Sequence, residues 1–249
     1  MTMPSTAGET ALPRTTRPRP AGRELTFAER ARREQLISVT IALIAENGAA
    51  RTSLQNIADA ASITKAAVLY HYPTKKDVFR AAYEVVRTGL IAHMRARIEA
   101  APTPGAALKA YLTSQLDYLA EHPQHVRVMS ESFTDPDIGI TEHTDTQARW
   151  RPLADLIAKA QTAGQYDPQV NAEAHAIMFG GAVDALVAET LTNSDFSLPG
   201  GASALLGLVD VFMPSPPERE HSDDAHQANA AGSAKTGRES LKATSEGNA

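Results

Sequence analysis

Residues 48–75, GAARTSLQNIADAASITKAAVLYHYPTK, carry helix-start and helix-stop signals so closely spaced that this stretch must fold as short helices joined by tight turns. Just upstream, Leu36, Ile37, Val39, Thr40, Leu43 and Ile44 recur at three- and four-residue intervals and line one face of a longer helix. Thr26 and Glu29 match a capping box at its start, and Gly48 suits the left-handed residue that ends it. Thr52 with Gln55 reads as a second capping box, opening a helix over 53–60 that buries Leu54, Ile57, Ala58 and Ala61. Ser62 and Ile63 form the turn, with Ile63 plugging the space between the helices. Thr64 caps a third helix through about residue 70, and Pro73 stops it. Thr74 then caps a long fourth helix from Lys75 to about residue 100.

Two short helices crossing on alanines across a tight turn make a helix-turn-helix, the unit that lays its second helix in the major groove of DNA. In that geometry Lys65, Ala66 and Ala67, in the first turn of the third helix, meet base edges. Tyr70 and His71 reach phosphate from its end. Thr52, Ser53, Thr64 and Lys75 stand at helix starts, where free N–H groups and the helix dipole favour an anion. Phosphate contacts position such a unit and base contacts make it selective. Any one cap or lysine would be ordinary in a small helical bundle. The whole constellation at this spacing points to DNA.

The charge distribution agrees. The chain carries −5 overall, yet residues 1–98 hold 15 Lys and Arg against 8 Asp and Glu, and residues 99–249 hold 9 against 21. A basic N-terminal part on an acidic remainder is the footprint of a DNA-reading module on a body that does not touch DNA. There is no cysteine among the 249 residues, which excludes disulfides and thiolate metal sites. No apolar run approaches the length of a membrane span, and no hydrophobic leader opens the sequence, so a cytoplasmic protein is expected.

Residues 30–80 resemble the N-terminal domain of the TetR (tetracycline-repressor) family of transcriptional regulators. The resemblance rests on Gly48, Thr52, Ser53, Ile57, Ala58, Ala61, Ile63, Thr64, Lys65, Tyr70, His71, Tyr72, Thr74 and Lys75. It implies an all-α protein. A three-helix DNA-binding domain, with the third helix for recognition, precedes a helical ligand-binding and dimerisation domain. Three positions depart from the family pattern. Ser62 replaces the usual turn glycine, and would cost about 1 kcal/mol or more in a left-handed conformation. Ala66 and Ala67 replace a frequent glycine and threonine. Leu69 stands where many members carry a phosphate-binding tyrosine, a role that Tyr70 next door can take.

The expected organisation is a basic arm over 1–25, the DNA-binding domain over 26–74, a body over 75–213 whose 75–100 segment is the connecting helix, and a tail over 214–249. Arg14, Arg17, Arg19 and Arg23 make the arm basic, and both ends are compositionally suited to disorder. Within the body, helices are expected over 106–121, 125–133, 146–164, 171–191 and 202–213, with loops at 135–139 and 193–201. The last two helices resemble the family's dimerising pair. Ile177, Gly180, Gly181, Asp184 and Leu205 are the expected interface, the paired glycines allowing two backbones to approach. A ligand cavity is implied by the resemblance, and His93, Met94, Met129, Phe133, Trp150 and Phe179 could line it with apolar walls. His122 with His125, and His143 with Glu142 and Asp145, lack metal-ligand spacing, so no metal or cofactor is expected.

These observations predict a regulator that binds a palindromic DNA operator as a homodimer and is released by a small, largely apolar molecule. The connecting helix joins the recognition helix through Tyr72–Thr74, so a tilt of that helix would move the two recognition helices apart. No nucleophile–base pair or phosphate-cradling loop is legible, so an enzyme is not expected. The alternative of another class is an architectural or effector-independent DNA-binding protein.

Overall fold

The computed structural model of the chain describes residues 24–132 and 146–215, and among these every regular element is a helix. The elements are α1 (Phe27–Asn47), α2 (Leu54–Ala60), α3 (Lys65–His71), α4 (Lys75–Glu99), α5 (Pro104–Glu121), α6 (Pro123–Ser132), α7 (Thr146–Thr162), α8 (Ala172–Glu189) and α9 (Leu198–Phe212). Most of the arm, Phe133, the 135–139 loop, His143 with its acidic neighbours, and the tail beyond Ser215 lie outside the described residues.

Local chemistry accounts for most boundaries. Thr26 and Glu29 form a reciprocal capping box on α1, and Thr74 and Asp77 form one on α4. Thr64 and Asn171 cap α3 and α8 by accepting the N–H three residues on. Gly48 leaves α1 with φ 82°, a backbone that L side chains rarely adopt.

Two starts differ from expectation. The box on α2 is formed by Ser53 and Asn56, one residue later than Thr52 and Gln55. Thr52 is instead 1 % exposed, and its hydroxyl donates to the Gly48 carbonyl at 2.8 Å. Helix α9 begins at Leu198, capped by Ser197 with Pro199 in its first turn, where a loop to residue 201 was expected. Proline is tolerated there because first-turn N–H groups have no partner within the helix.

Helices α1–α3 make a small bundle, and α1 also packs on α4 and α6. Helix α5 is the centre of the body, with α4, α6, α7, α8 and α9 around it. One hydrophobic core runs from Leu36 in α1 through Val86 and Leu112 to Val209 and Met213. The helix-turn-helix is therefore tied to the body by side-by-side packing as well as by the 72–74 link from which a tilt was reasoned.

Candidate nucleic-acid interface

The helix-turn-helix is held from beneath by Ile57, Ala58, Ala61, Val68 and Tyr72, all buried. Alanine at 58 and 61 lets α2 and α3 cross closely, and Ile63 packs on the core between them. The turn closes with Ile63 N–H donating to the Ala58 carbonyl at 2.9 Å. Ser62, in the place of the usual glycine, takes φ 55°. It is the non-glycine residue with positive φ among those described, so the turn does require the left-handed conformation, and serine carries its strain.

Above this platform, Ser53, Thr64, Lys65, Ala66, Leu69 and Tyr70 are exposed, and Ala67 and His71 are half-buried. Of the nine residues expected to face DNA, Ser53, Thr64, Lys65, Ala66 and Tyr70 are thus open to solvent. Thr52 is buried as described, which removes its side chain from that set. Lys75 is half-buried, its ammonium donating to the Ala49 carbonyl at 2.9 Å and lying 4.8 Å from the Phe79 ring centroid. Lys75 therefore ties the α1–α2 turn to α4.

Two residues of α1 that sequence reasoning did not assign to the site fix the end of α3. The Tyr70 hydroxyl donates to the Glu29 carboxylate at 3.1 Å. One turn on, the Arg33 guanidinium donates to the His71 carbonyl and lies 4.1 Å from the Tyr72 ring centroid. Burial raises the Tyr72 hydroxyl pKa above its ordinary value, partly opposed by Arg33. The i, i+4 spacing of Glu29 and Arg33 was visible, but nothing local told that this face meets α3.

A second contact reaches the module from the body. Arg127 of α6 donates to the Ala45 and Glu46 carbonyls at 3.3 and 3.4 Å, and pairs with Glu131 at 2.8 Å. The Glu131 carboxylate accepts the Ala49 N–H in turn. This pair grips the last turn of α1 and the residues leading to α2.

Among the residues expected around a ligand, five lie within the described residues. Met129 lines a cavity of about 240 Å³ with Leu90, Leu119, Val183 and Val187, and the Arg149–Asp184 ion pair lies on its wall. Met94 and Phe179 are buried in the core, and the Phe179 ring meets His175 edge-on. Trp150 lies against Gly180, where a Cβ would overlap its ring. His93 packs against Tyr118, with Nε2 buried and without a hydrogen-bond partner.

The expected dimer set divides similarly. Ile177 is 52 % exposed, and Gly181 faces open space. Gly180 makes room for Trp150, Asp184 pairs with Arg149, and Leu205 is 1 % exposed within the core. Exposed large apolar side chains on the last two helices include Ile177 and Met178 on α8 and Leu208, Val211 and Phe212 on α9, and Val211 is 72 % exposed.

Comparison with known proteins agrees with this geometry. The chain is 25 % identical over 193 residues to the "Probable acrEF/envCD operon repressor" of Escherichia coli (strain K12), covering 73 % of this chain and 87 % of that protein. Its fold matches SmeT, the repressor of the Stenotrophomonas maltophilia multidrug efflux pump SmeDEF, with TM-score 0.61, 19 % identity, and coverage of 73 % of this chain and 89 % of that one. It also matches a transcriptional regulator from Saccharomonospora viridis solved in complex with choline, with TM-score 0.62, 19 % identity, and coverage of 74 % and 98 %. Residues 36–82 match the model for bacterial regulatory proteins of the tetR family, the span from the core of α1 through the helix-turn-helix into α4, and with the operon repressor and the fold relatives this match supports a TetR-type regulator.

Proposed function

We propose that the protein is a repressor that binds a palindromic operator as a homodimer, with 26–74 reading DNA and 75–213 pairing two copies and taking an effector. The observation that carries this is the open face of α3, with Lys65 and Tyr70 exposed on a helix whose far end Glu29 and Arg33 hold in place. A rigidly held helix with a cation in its first turn suits base reading in the major groove. The exposed apolar side chains on α8 and α9 support pairing, because large exposed apolar patches mark contact surfaces. A dimer would place two recognition helices about 34–36 Å apart, one turn of DNA.

The effector is a small, largely apolar molecule that binds in the body and lowers operator affinity. The mostly apolar cavity between Leu90, Met129 and Val187 supports this reading, and the triclosan complex of SmeT and the choline complex of another fold relative support a small-molecule ligand. Repression is the role that the operon repressor's name carries. Acting on DNA, the protein would work in the cytoplasm. Among the described residues no helix is long and apolar enough to cross a membrane.

The test is genome-wide mapping of bound DNA followed by footprinting of the strongest sites. An inverted repeat with half-sites one turn apart is expected. Even binding with no protected repeat would replace the operator reading with that of an architectural protein.

A further inference from the structure

The elements that meet behind the Arg127–Glu131 grip carry a cluster of ionisable rings that DNA reading does not use. Tyr118 of α5 is at its centre. Its hydroxyl lies 3.1 Å from Nδ1 of His125 on α6, and its ring meets His93 of α4 at 5.6 Å and His122 at 4.5 Å between centroids. His122 and His125 stack with centroids 5.0 Å apart and planes 27° apart. Gly89 of α4 makes room for the hydroxyl: a Cβ there would stand 2.5 Å from Tyr118 Oη. The cluster thus binds α4, α5 and α6 through aromatic faces and one hydrogen bond.

We propose that this cluster is a proton-responsive latch: mild acidification protonates His125, loosens α6 from α4 and α5, and slackens the grip of Arg127 and Glu131 on the α1–α2 turn. The fall in operator affinity that follows rests on the DNA-binding reading; the loosening of α6 does not.

The physical argument concerns charge in a confined place. An imidazolium at His125 would stand in a partly buried site with the His122 ring stacked about 5 Å away. Most charged groups on the elements packed against α6 have partners of their own. On α5, Asp117 faces Arg97 of α4 at 4.0 Å. On α6 itself, Arg127 is held by Glu131 at 2.8 Å. On α8, Asp184 is paired with Arg149, and on α1, Glu46 accepts a hydrogen bond from Asn47. Glu121 is exposed at the end of α5. Burial is the main cause that lowers the His125 pKa below its ordinary value, with His122 adding to it. A base whose pKa is lower in the packed arrangement than out of it favours that arrangement above about pH 6.5. The advantage is lost as pH falls from there toward the depressed value. Nδ1 also accepts the Tyr118 hydroxyl only while it lacks a proton.

Hydrogen exchange of the full-length protein tests the latch without DNA. Between pH 7.5 and 5.5, after correction for the intrinsic rate, protection of the 124–131 amides should fall several-fold, by at most about ten-fold per pH unit for one proton. Protection in α7 should hold. His125→Gln keeps a neutral hydrogen-bonding side chain and should flatten the response. His122→Gln should move its midpoint upward by removing the like charge. Unchanged protection in the wild type, or a wild-type response in His125→Gln, would overturn the latch. Operator affinity over the same range is the second measurement. Loosening of α6 with no loss of affinity would overturn the coupling to DNA, whereas absence of any operator binding at pH 7.5 would count against the DNA reading alone.

Discussion

At the scale of single residues, the recognition helix is governed by groups that never need to touch a base. Arg33 holds the end of α3 by bonding the His71 carbonyl and covering Tyr72, and Glu29 fixes the Tyr70 hydroxyl. A charge-assisted hydrogen bond and a half-exposed cation–π contact together stabilise by about 1–3 kcal/mol. Arg33→Ala should therefore lower the melting temperature and weaken binding to all duplexes alike. Lys65→Ala should leave stability within about 0.5 kcal/mol, because the side chain is exposed, yet relax preference at one or two base pairs by about 1–3 kcal/mol. Binding to a panel of operator variants separates them. An unchanged ranking in Lys65→Ala would make Lys65 a phosphate contact. Ser62 offers a prediction of opposite sign. Its φ of 55° costs about 1–2 kcal/mol, more than the roughly 0.5–1 kcal/mol of backbone entropy that glycine adds. Ser62→Gly should thus stabilise the protein slightly in denaturant titration, and a loss of stability would show that the serine side chain makes a compensating contact.

At the scale of helices, what could be read from the sequence was what local chemistry decides. Thr26 with Glu29, Thr64, Thr74 and Asn171 cap helices through hydrogen bonds within four residues, so their pattern was legible. The α2 start slipped by one because Thr52 and Ser53 are adjacent hydroxyls, and tertiary burial chose which one caps. The start of α9 was hidden by Pro199, Gly200 and Gly201, which read as loop although serine followed by proline also suits a first turn. Ligand and interface residues are not legible in this way, because no local pattern tells which neighbour a helix face meets. Gly180 is the clearest case: its small size serves Trp150 of α7 within the same chain. Gly180→Ala should accordingly cost about 1–3 kcal/mol by overpacking, despite the better helix propensity of alanine. Adding Trp150→Leu should remove most of that cost. A double-mutant cycle with no coupling would show that the ring does not depend on the gap.

At the scale of the whole molecule, two facts bear on how the protein would act. The basic surplus lies in residues 1–98, while the helices beyond belong to an acidic part that DNA would repel. The core runs unbroken from α1 to α9, so a change in the body has packed side chains as well as the 72–74 link through which to reach α3. The body also leaves Ile177, Met178, Leu208, Val211 and Phe212 in solvent on its last two helices. Leaving such side chains uncovered forgoes about 25 cal/mol for each Å² of apolar area that a second copy could bury. Ile177→Asp combined with Val211→Asp tests that occupant. Both side chains are more than half exposed, so the single chain should keep its stability within about 0.5 kcal/mol per site. Charges set against charges across a two-fold axis should separate the copies, giving single-chain mass in sedimentation velocity. Operator affinity should then fall by about 100- to 10,000-fold, the advantage lost when one half-site contact replaces two linked ones. Binding to an isolated half-site should hardly change, because the α3 face is untouched. A variant that still sediments as a dimer would place the interface elsewhere, and a monomer with full operator affinity would remove the need for a dimer in DNA binding.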